Sequence, residues 1–402
     1  MALSYEDILD AKESQGPEIK KTPLSHSPTF SRLTGAEVYL KSEFQQKTGS
    51  FKLRGAYYKI KSLDDNEKKN GVVAASAGNH AQGVAFASSL EKIPCTIVMP
   101  KTASPAKVAA TKGYGAKVIL EGTNYDDAST KAKMIATETG AKLIHAFDDP
   151  QVIAGQGVIG LEILEDLPDV EEVYVPIGGG GLAAGILVAI KQKNPNIRVI
   201  GVQSKSFPAM KKSLEEGRLI AEGGKRTIAD GISVKKPGEL TFSIIKELID
   251  DIVLVDDSDI IKTMFLLMER SKVVIEPAGA VSLAYLLSSK PKAGKKIVAI
   301  LAGGNVDMYL LGQIVDKGLA AMGRLLKIFI LLPDRPGALK DVVDEITAAN
   351  ANIVEVVHDR LSADINAGSA GVTLSLETEG KEQAENLIER FKEKNIYFKL
   401  MT

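Results

Sequence analysis

One lysine stands in a short segment that could form a covalent bond to a carbonyl compound. The segment is Ser50–Ala56, with Lys52 directly after Phe51, and it follows an apolar run at Val38–Phe44. A lysine in a pocket of low dielectric loses its proton more readily, so it can form a Schiff base and later act as a base. Lysines beside aromatic residues are common, and this segment alone does not predict catalysis.

A second segment, Ser76–Gly83, is rich in small residues and follows the apolar run Val72–Ala75. Small residues let backbone amides approach a ligand, and a helix that starts near His80 would direct its positive end at this loop. We therefore expect the loop to suit an anion such as a carboxylate. The alternative is an ordinary strand-to-helix turn in which His80 is bonded to the backbone.

Four consecutive glycines, Gly178–Gly181, lie between the apolar run Val173–Ile177 and a helical pattern at Leu182–Gln192. Such a loop gathers amides at a helix N-terminus, which is a binding site for phosphate. It lacks the lysine of a P-loop and the spaced glycines of a dinucleotide fingerprint. A cofactor whose phosphate is held by the backbone is favoured over a plain loop. Combined with an anion loop and a Schiff-base lysine, the pattern indicates pyridoxal phosphate.

All three segments follow predicted strands, where open α/β sheets place their ligand crevices. Most of these strands are continuous apolar runs, as expected for parallel strands buried on both faces. The predicted strands are Val38–Phe44, Val72–Ala75, Thr96–Met99, Lys117–Leu120, Val173–Ile177, Val199–Val202, Ile252–Val255 and Ile297–Leu301. Helices between them include Ala81–Leu90, Pro105–Lys112, Tyr125–Thr139, Leu182–Gln192 and Asp257–Arg270. The pattern predicts an α/β fold with largely parallel sheets.

The pattern changes beyond a boundary near residues 310–325. Strands are expected at Leu325–Leu332, Ile353–Val357, Val372–Leu376 and Ile396–Leu400. One helix should begin at Pro333–Gly337, with Pro336 near its first turn, and a second should bury Ala384, Leu387, Ile388 and Phe391. The order β-α-β-β-α-β predicts a ferredoxin-like unit.

Composition excludes several classes of function. The chain has 50 basic and 51 acidic residues, a net charge of −1, so no nucleic-acid or membrane partner is expected. Its single cysteine, Cys95, lies in an apolar run and indicates a core position and a cytoplasmic setting. The polar N-terminus is unlike a signal peptide, and the scattered histidines predict no metal site.

Five motifs, in this order, resemble the fold-type II threonine/serine dehydratases, a pyridoxal-phosphate family that also includes serine racemase. The motifs are Ser50–Ala56, Ser76–Gly83, Gly178–Leu182, Glu276–Ala280 and Leu301–Val306. The resemblance implies a catalytic region at 1–320, with a small subdomain at about 46–147, and residues 325–402 resemble an ACT domain. It implies deamination of L-threonine, and of L-serine, to a 2-oxo acid and ammonia by a homodimer or homotetramer.

The resemblance also implies a role for individual residues. Lys52 would carry pyridoxal phosphate, Phe51 would pack on its ring, and Asn79 would bond the ring's phenolic oxygen. The phosphate would be held by the amides of Gly178, Gly179, Gly180, Gly181 and Leu182. The substrate carboxylate would be held by Ser76, Ala77, Gly78, Asn79 and His80.

Two features depart from the family pattern, and Ala77 differs from the racemases of the family. Ala302 replaces the usual Ser or Cys that faces the pyridine nitrogen, and a methyl group cannot form that hydrogen bond. Ala77 replaces the serine that racemases use as a base on the second face of the substrate, which favours elimination. The segment Gln203–Ala209 lacks the carboxylates that hold a divalent cation in serine racemases, so no metal is carried over.

The C-terminal unit is interpreted as an amino-acid sensor, with isoleucine as the expected effector and Asp334, Gly337 and Asn352 as its ligands. The alternative is an element that only mediates dimerisation. For the catalytic region, the rivals are a β-replacement enzyme, a threonine synthase and a non-catalytic sensor. Lys52 and the four glycines argue against the sensor.

Overall fold

The computed structural model describes residues 3–224, 226–289 and 291–401 and divides into two compact units, Met1–Asp307 and Met308–Thr402. The helices are α1 Tyr5–Gln15, α2 Pro28–Thr34, α3 Lys52–Lys61, α4 Asp65–Asn70, α5 Asn79–Leu90, α6 Pro105–Gly113, α7 Tyr125–Thr139, α8 Pro150–Asp166, α9 Gly181–Lys193, α10 Ala209–Glu215, α11 Glu239–Leu248, α12 Asp257–Leu266, α13 Pro277–Ser289, α14 Met308–Ala321, α15 Ala338–Ala348 and α16 Lys381–Glu393. The strands are β1 Leu24–His26, β2 Glu37–Lys41, β3 Val72–Ala75, β4 Cys95–Met99, β5 Lys117–Leu120, β6 Lys142–Leu143, β7 Glu172–Pro176, β8 Arg198–Ser204, β9 Asp251–Val255, β10 Lys296–Ile300, β11 Leu325–Pro333, β12 Asn352–Asp359, β13 Ser369–Glu377 and β14 Phe398–Leu400. Within the described ranges, no helix is both long and apolar enough to span a membrane.

A six-stranded sheet in the order β1-β2-β10-β7-β8-β9 forms one half of the first unit. Its strand pairs are parallel except for β1 with β2. Every residue of β7 is buried, because helices cover both faces of the sheet. The predicted α/β fold with parallel sheets is thereby confirmed.

A four-stranded parallel sheet, β5-β4-β3-β6, forms the other half of this unit. Its central strand β3 is wholly buried and packs against α5 and α7. Because parallel strands end at the same edge, the loops after β3 and β4 emerge on one side of the sheet. The segment Ser76–Gly78 is the loop after β3.

Two elements predicted in the first unit were clearly too long. The strand predicted at Val38–Phe44 ends at Lys41, and Glu43–Gln45 forms a 3₁₀ turn. The chain turns there because the Glu43 carboxylate is drawn into a buried ion network. The helix predicted at Asp257–Arg270 ends at Leu266 and continues as a π-helical turn, Leu267–Ser271.

That buried network ties α3 to the six-stranded sheet. Arg54 donates to both carboxylate oxygens of Glu43 and both of Glu162, at 2.8–2.9 Å. Lys41 Nζ donates to Glu162 at 2.5 Å and to the carbonyl of Thr22 at 2.7 Å. All four charged side chains are almost fully buried, so two cations offset two anions out of contact with water. The network fixes the helix that begins at Lys52.

The second unit contains the predicted β-α-β-β-α-β order as β11-α15-β12-β13-α16-β14. Its antiparallel sheet, β12-β13-β11-β14, has the ferredoxin-like strand order. Of the predicted stripe on α16, Ala384, Leu387 and Phe391 are buried and Ile388 is half-buried. The predicted last strand, Ile396–Leu400, is shorter and begins at Phe398. The expectation for Pro336 was wrong, because α15 begins only after Gly337, whose φ of +87° breaks the helix before it.

Candidate active site

Lys52 is the first residue of α3, and its position is set by the loop that follows β10. The amide of Phe51 donates to the carbonyl of Ala302 at 3.1 Å, and Ser50 forms an isolated antiparallel bridge with Gly303. Lys52 Nζ donates to the carbonyl of Ala146 at 2.8 Å and lies 5.2 Å from the centroid of the Phe51 ring. The side chains of the predicted lysine and phenylalanine therefore lie close together.

The amine of Lys52 loses its proton more readily than that of an exposed lysine. Burial lowers its pKa from 10.5 to about 8, and the negative charge of Glu276 opposes this shift. A buried lysine of lowered pKa is a far better nucleophile and base near neutral pH than an exposed one.

The glycine loop after β7 forms an unsatisfied helix N-terminus. Gly180 adopts a φ of +99° and precedes α9, which starts at Gly181 with no side-chain cap. Among the described residues, the amides of Gly178–Gly181 have no hydrogen-bond acceptor. Free amides and the positive end of a 13-residue helix together form an anion-binding site.

The segment His145–Asp148 connects Lys52 to this loop. A side-chain carbon at Gly179 would lie 2.4 Å from the Phe147 ring, so only glycine fits there. Asp148 accepts from the amides of Glu239, Leu240 and Thr241 at 3.0–3.1 Å and so caps α11. The hydroxyl of Thr241 in turn donates to the carbonyl of Gly179 at 2.7 Å, which fixes the loop from its other side.

Asn79, the first residue of α5, is held between two side chains that the sequence did not single out. Its Nδ2 donates to Glu276 Oε1 at 2.6 Å, and its Oδ1 accepts from Asn305 at 2.8 Å. Burial raises the pKa of Glu276 to about 7. Glu276 and Asn305 both lie in motifs by which this sequence resembles the dehydratases. Those motifs were the signal in the sequence that could have identified them.

The loop Ser76–Gly78 has the geometry of an anion-binding turn, but His80 does not face outward from it. Ser76 Oγ accepts from the amide of Gly78 at 3.1 Å, and α5 has no side-chain cap. His80 is buried and its Nε2 bonds to the carbonyl of Ile144 at 3.0 Å. Burial lowers its pKa to about 3, so its ring is neutral. This geometry matches the alternative in which His80 is bonded to the backbone.

Several buried polar atoms on the elements that form this site are unpaired. In the part of the chain that the structure describes, these include Thr48 Oγ1, Ser50 Oγ, His80 Nδ1 and both polar atoms of Gln156. Buried polar groups normally have partners, so a group of unpaired ones indicates a site for a polar ligand. Free loop amides and a lysine of low pKa fit pyridoxal phosphate. The side chain of Ala302, 3% exposed, is a methyl group that cannot form a hydrogen bond.

A family model for "Pyridoxal-phosphate dependent enzyme" matches residues 16–303. The chain belongs to this family. This pyridoxal-phosphate-dependent enzyme is 48% identical to the L-threonine ammonia-lyase of Thermotoga maritima, over 96% of each chain. It is 45% identical to the L-threonine ammonia-lyase of Geobacter sulfurreducens, again over 96% of each.

Solved structures are similar to most of this enzyme. Threonine deaminase isoform 2 of Solanum lycopersicum has a TM-score of 0.74 and 38% identity, over 78% of this chain and 92% of that one. Maize serine racemase has a TM-score of 0.75 and 37% identity, over 80% of this chain and 99% of that one.

The residues predicted to bind an effector lie in the second unit, and only two of the three come together. Asp334 and Gly337 line one cavity, whose wall also includes Arg335, Lys340 and Arg360. The carboxylate of Asp334 accepts from Arg360 Nε at 2.9 Å, and α15 has no side-chain cap. Asn352 does not line the cavity and instead donates to Glu377 at 3.2 Å.

Proposed function

We propose that this enzyme is an L-threonine ammonia-lyase that also accepts L-serine. It converts threonine to 2-oxobutanoate and serine to pyruvate, and it releases ammonia in both reactions. The observation that carries the proposal is the amine of Lys52, which stands on a half-buried side chain and has a pKa of about 8, beside a glycine loop with free amides. The threonine ammonia-lyase relatives, matched over 96% of the chain, support the same reaction.

In this proposal Lys52 holds pyridoxal phosphate through a covalent bond to Nζ, and Phe51 packs on its ring. The amides of Gly178–Leu182 hold the phosphate, and Asn79 bonds the phenolic oxygen. The positive end of α9 supports the phosphate assignment. At Ala302 the ring nitrogen has no side-chain partner, which the family's use of a neutral ring nitrogen tolerates.

Bound pyridoxal phosphate supplies an electron sink that acidifies the α-proton of the amino acid. The amides of Ser76–His80 hold the substrate carboxylate, which orients the α-carbon toward Lys52. The freed amine of Lys52 removes the α-proton, and its lowered pKa makes it available as a base. The β-hydroxyl leaves as water with one added proton, which is balanced by the α-proton that Lys52 Nζ takes up, and hydrolysis of the remaining enamine yields the 2-oxo acid and ammonia.

A Lys52→Ala substitution tests the proposal directly. We expect loss of 2-oxo acid formation from threonine and serine, because both the attachment point and the base are removed. After borohydride reduction, peptide mapping should find the cofactor on Lys52 in the parent enzyme. Lys61→Ala, on the exposed side of the same helix, is the control and should keep full activity. Activity retained in Lys52→Ala would contradict the proposal.

Racemisation is the second candidate activity, because maize serine racemase is similar in structure. It needs a proton donor and acceptor on both faces of the substrate. The methyl group of Ala77 can play neither role, so we expect negligible D-serine beside pyruvate when L-serine is the substrate. Chiral chromatography measures the ratio, and comparable rates of the two products would overturn the expectation.

The same proposal assigns residues 1–320 to catalysis and 325–402 to sensing of an amino acid such as isoleucine. Support comes from the cavity at Asp334 and Gly337, where basic side chains suit a carboxylate. We place the enzyme in the cytoplasm. We also propose that it is a homodimer or homotetramer, and light scattering in solution can test this oligomeric state. Its one cysteine, Cys95, supports a reducing setting, and burial raises the thiol's pKa to about 11, which keeps it unreactive.

A further inference from the structure

Gln156, in the middle of α8, is a buried amide with no partner. The residue is 0% exposed, and neither its Nε2 nor its Oε1 has a hydrogen-bond partner among the described residues. Leaving a buried amide unpaired costs free energy, because water no longer satisfies it. We therefore expect a bound ligand to supply the hydrogen-bond partner that this amide lacks.

Two glycines leave the space that this side chain occupies. A side-chain carbon at Gly181 would lie 3.0 Å from Gln156 Oε1, and one at Gly55 would lie 3.0 Å from Nε2. The amide is thus wedged between α3, which begins at Lys52, and the first residue of α9. It reaches the loop whose own amides are free.

We propose that Gln156 is an additional ligand of the cofactor's phosphate, to which it donates an N–H bond directly or through one water. The inference rests on the proposed function, which puts that phosphate at Gly178–Leu182. Rotation of the amide by 180° exchanges Nε2 and Oε1, so the donor can face the loop. The neutral amide of Gln156 would add one hydrogen-bond donor to those of the backbone, and it would bury no further charge beside the phosphate.

The experiment compares pyridoxal phosphate with pyridoxal, which lacks the phosphate, in titrations of the apoenzyme. In Gln156→Leu we expect the Kd for pyridoxal phosphate to rise roughly 10-fold or more, as for the loss of a hydrogen bond to a charged group. The Kd for pyridoxal should stay within about 2-fold of the parent value, since that ligand makes no such bond. Gln156→Glu keeps the shape but adds a negative charge, and it should weaken only the phosphate-bearing ligand.

Gln15→Leu is the matched control, because Gln15 is an equally buried glutamine with partners. Its Nε2 donates to the carbonyls of Arg54 and Gly155, at 3.1 and 2.8 Å. We expect the control to lower the Tm of the apoenzyme and to leave the ratio of the two Kd values unchanged. Gln156→Leu should leave the apoenzyme Tm unchanged or raise it, since it removes an unpaired amide.

Equal weakening of both ligands in the Gln156 variants would overturn the inference and indicate a packing role. A lowered apoenzyme Tm in Gln156→Leu would do the same. Failure of the proposed phosphate site itself looks different, because the parent apoenzyme would then bind pyridoxal as tightly as pyridoxal phosphate.

Discussion

The pKa of the Lys52 amine decides when the proposed site can react. Burial depresses it to about 8, and the carboxylate of Glu276 limits that depression. A neutral amine is needed for covalent attachment. We therefore expect the rate of cofactor attachment to the apoenzyme to rise with pH and level off above about 8, where an ordinary lysine would need about 10.5.

Glu276→Gln should move the midpoint of this profile to lower pH. Removing the negative charge leaves burial unopposed, so the ammonium form of Lys52 becomes less stable. Stopped-flow absorbance after mixing apoenzyme and cofactor gives the profile. Glu67→Gln is a control, since Glu67 pairs with Lys142 away from Lys52. A midpoint that stays in place or rises in Glu276→Gln would refute the assigned electrostatic coupling.

Single residues also mark the limit of what the sequence predicts. The local sequence pattern is enough to locate Lys52, the glycine loop and Asn79, because each of them follows a run that is recognisable as a strand. The partners of Asn79 are 197 and 226 residues away along the chain, and no local pattern could pair them with it. The burial of the His80 ring could not be predicted for a related reason, since it depends on the distant backbone of Ile144.

Among the elements, α11 controls the shape of the glycine loop. Thr241→Val removes the hydroxyl that donates to Gly179 and leaves that carbonyl with a single weak contact, from the amide of Gly238 at 3.4 Å. Loss of one hydrogen bond of about 1 kcal/mol should raise the apoenzyme's Kd for pyridoxal phosphate about 5-fold.

Fluorescence titration of the apoenzyme measures this effect. Thr263→Val is the control, because Thr263 is also buried but bonds only within α12, to the carbonyl of Asp259. It should leave the Kd unchanged. The clamp assigned to α11 would be wrong if the two variants weakened binding equally.

Element order and sheet type were predictable because buried parallel strands leave continuous apolar runs. Ends were less predictable where a tertiary contact decides them. β2 stops at Lys41 because Glu43 turns toward Arg54, and α15 starts late because Gly337 takes a left-handed conformation. Short pieces such as β6, with two residues, carry too little pattern to detect.

On the scale of the whole molecule, we expect the second unit to regulate the enzyme and the first unit to keep its basal activity without it. L-threonine dehydratase catabolic TdcB of Escherichia coli is 49% identical over 317 residues, which is 78% of this chain but 96% of that protein. A relative can therefore lack a counterpart of about a fifth of this chain.

We expect removal of residues 325–402 to abolish any response to isoleucine or valine and to spare basal activity. Kinetic assays of 2-oxo acid formation, with and without each amino acid, measure this. Arg360→Gln in the full chain is the finer test, because it alters the cavity at Asp334 and keeps the unit. Inhibition that persists after the truncation would locate the effector in the first unit.

The buried network around Arg54 also restricts how this sequence can diverge. Loss of one partner strands an opposite charge away from water, at a cost of about 3–5 kcal/mol, whereas apolar replacement of the whole set can be neutral. Positions 41, 43, 54 and 162 are therefore expected to covary among relatives, because single changes are purged and only concerted ones persist.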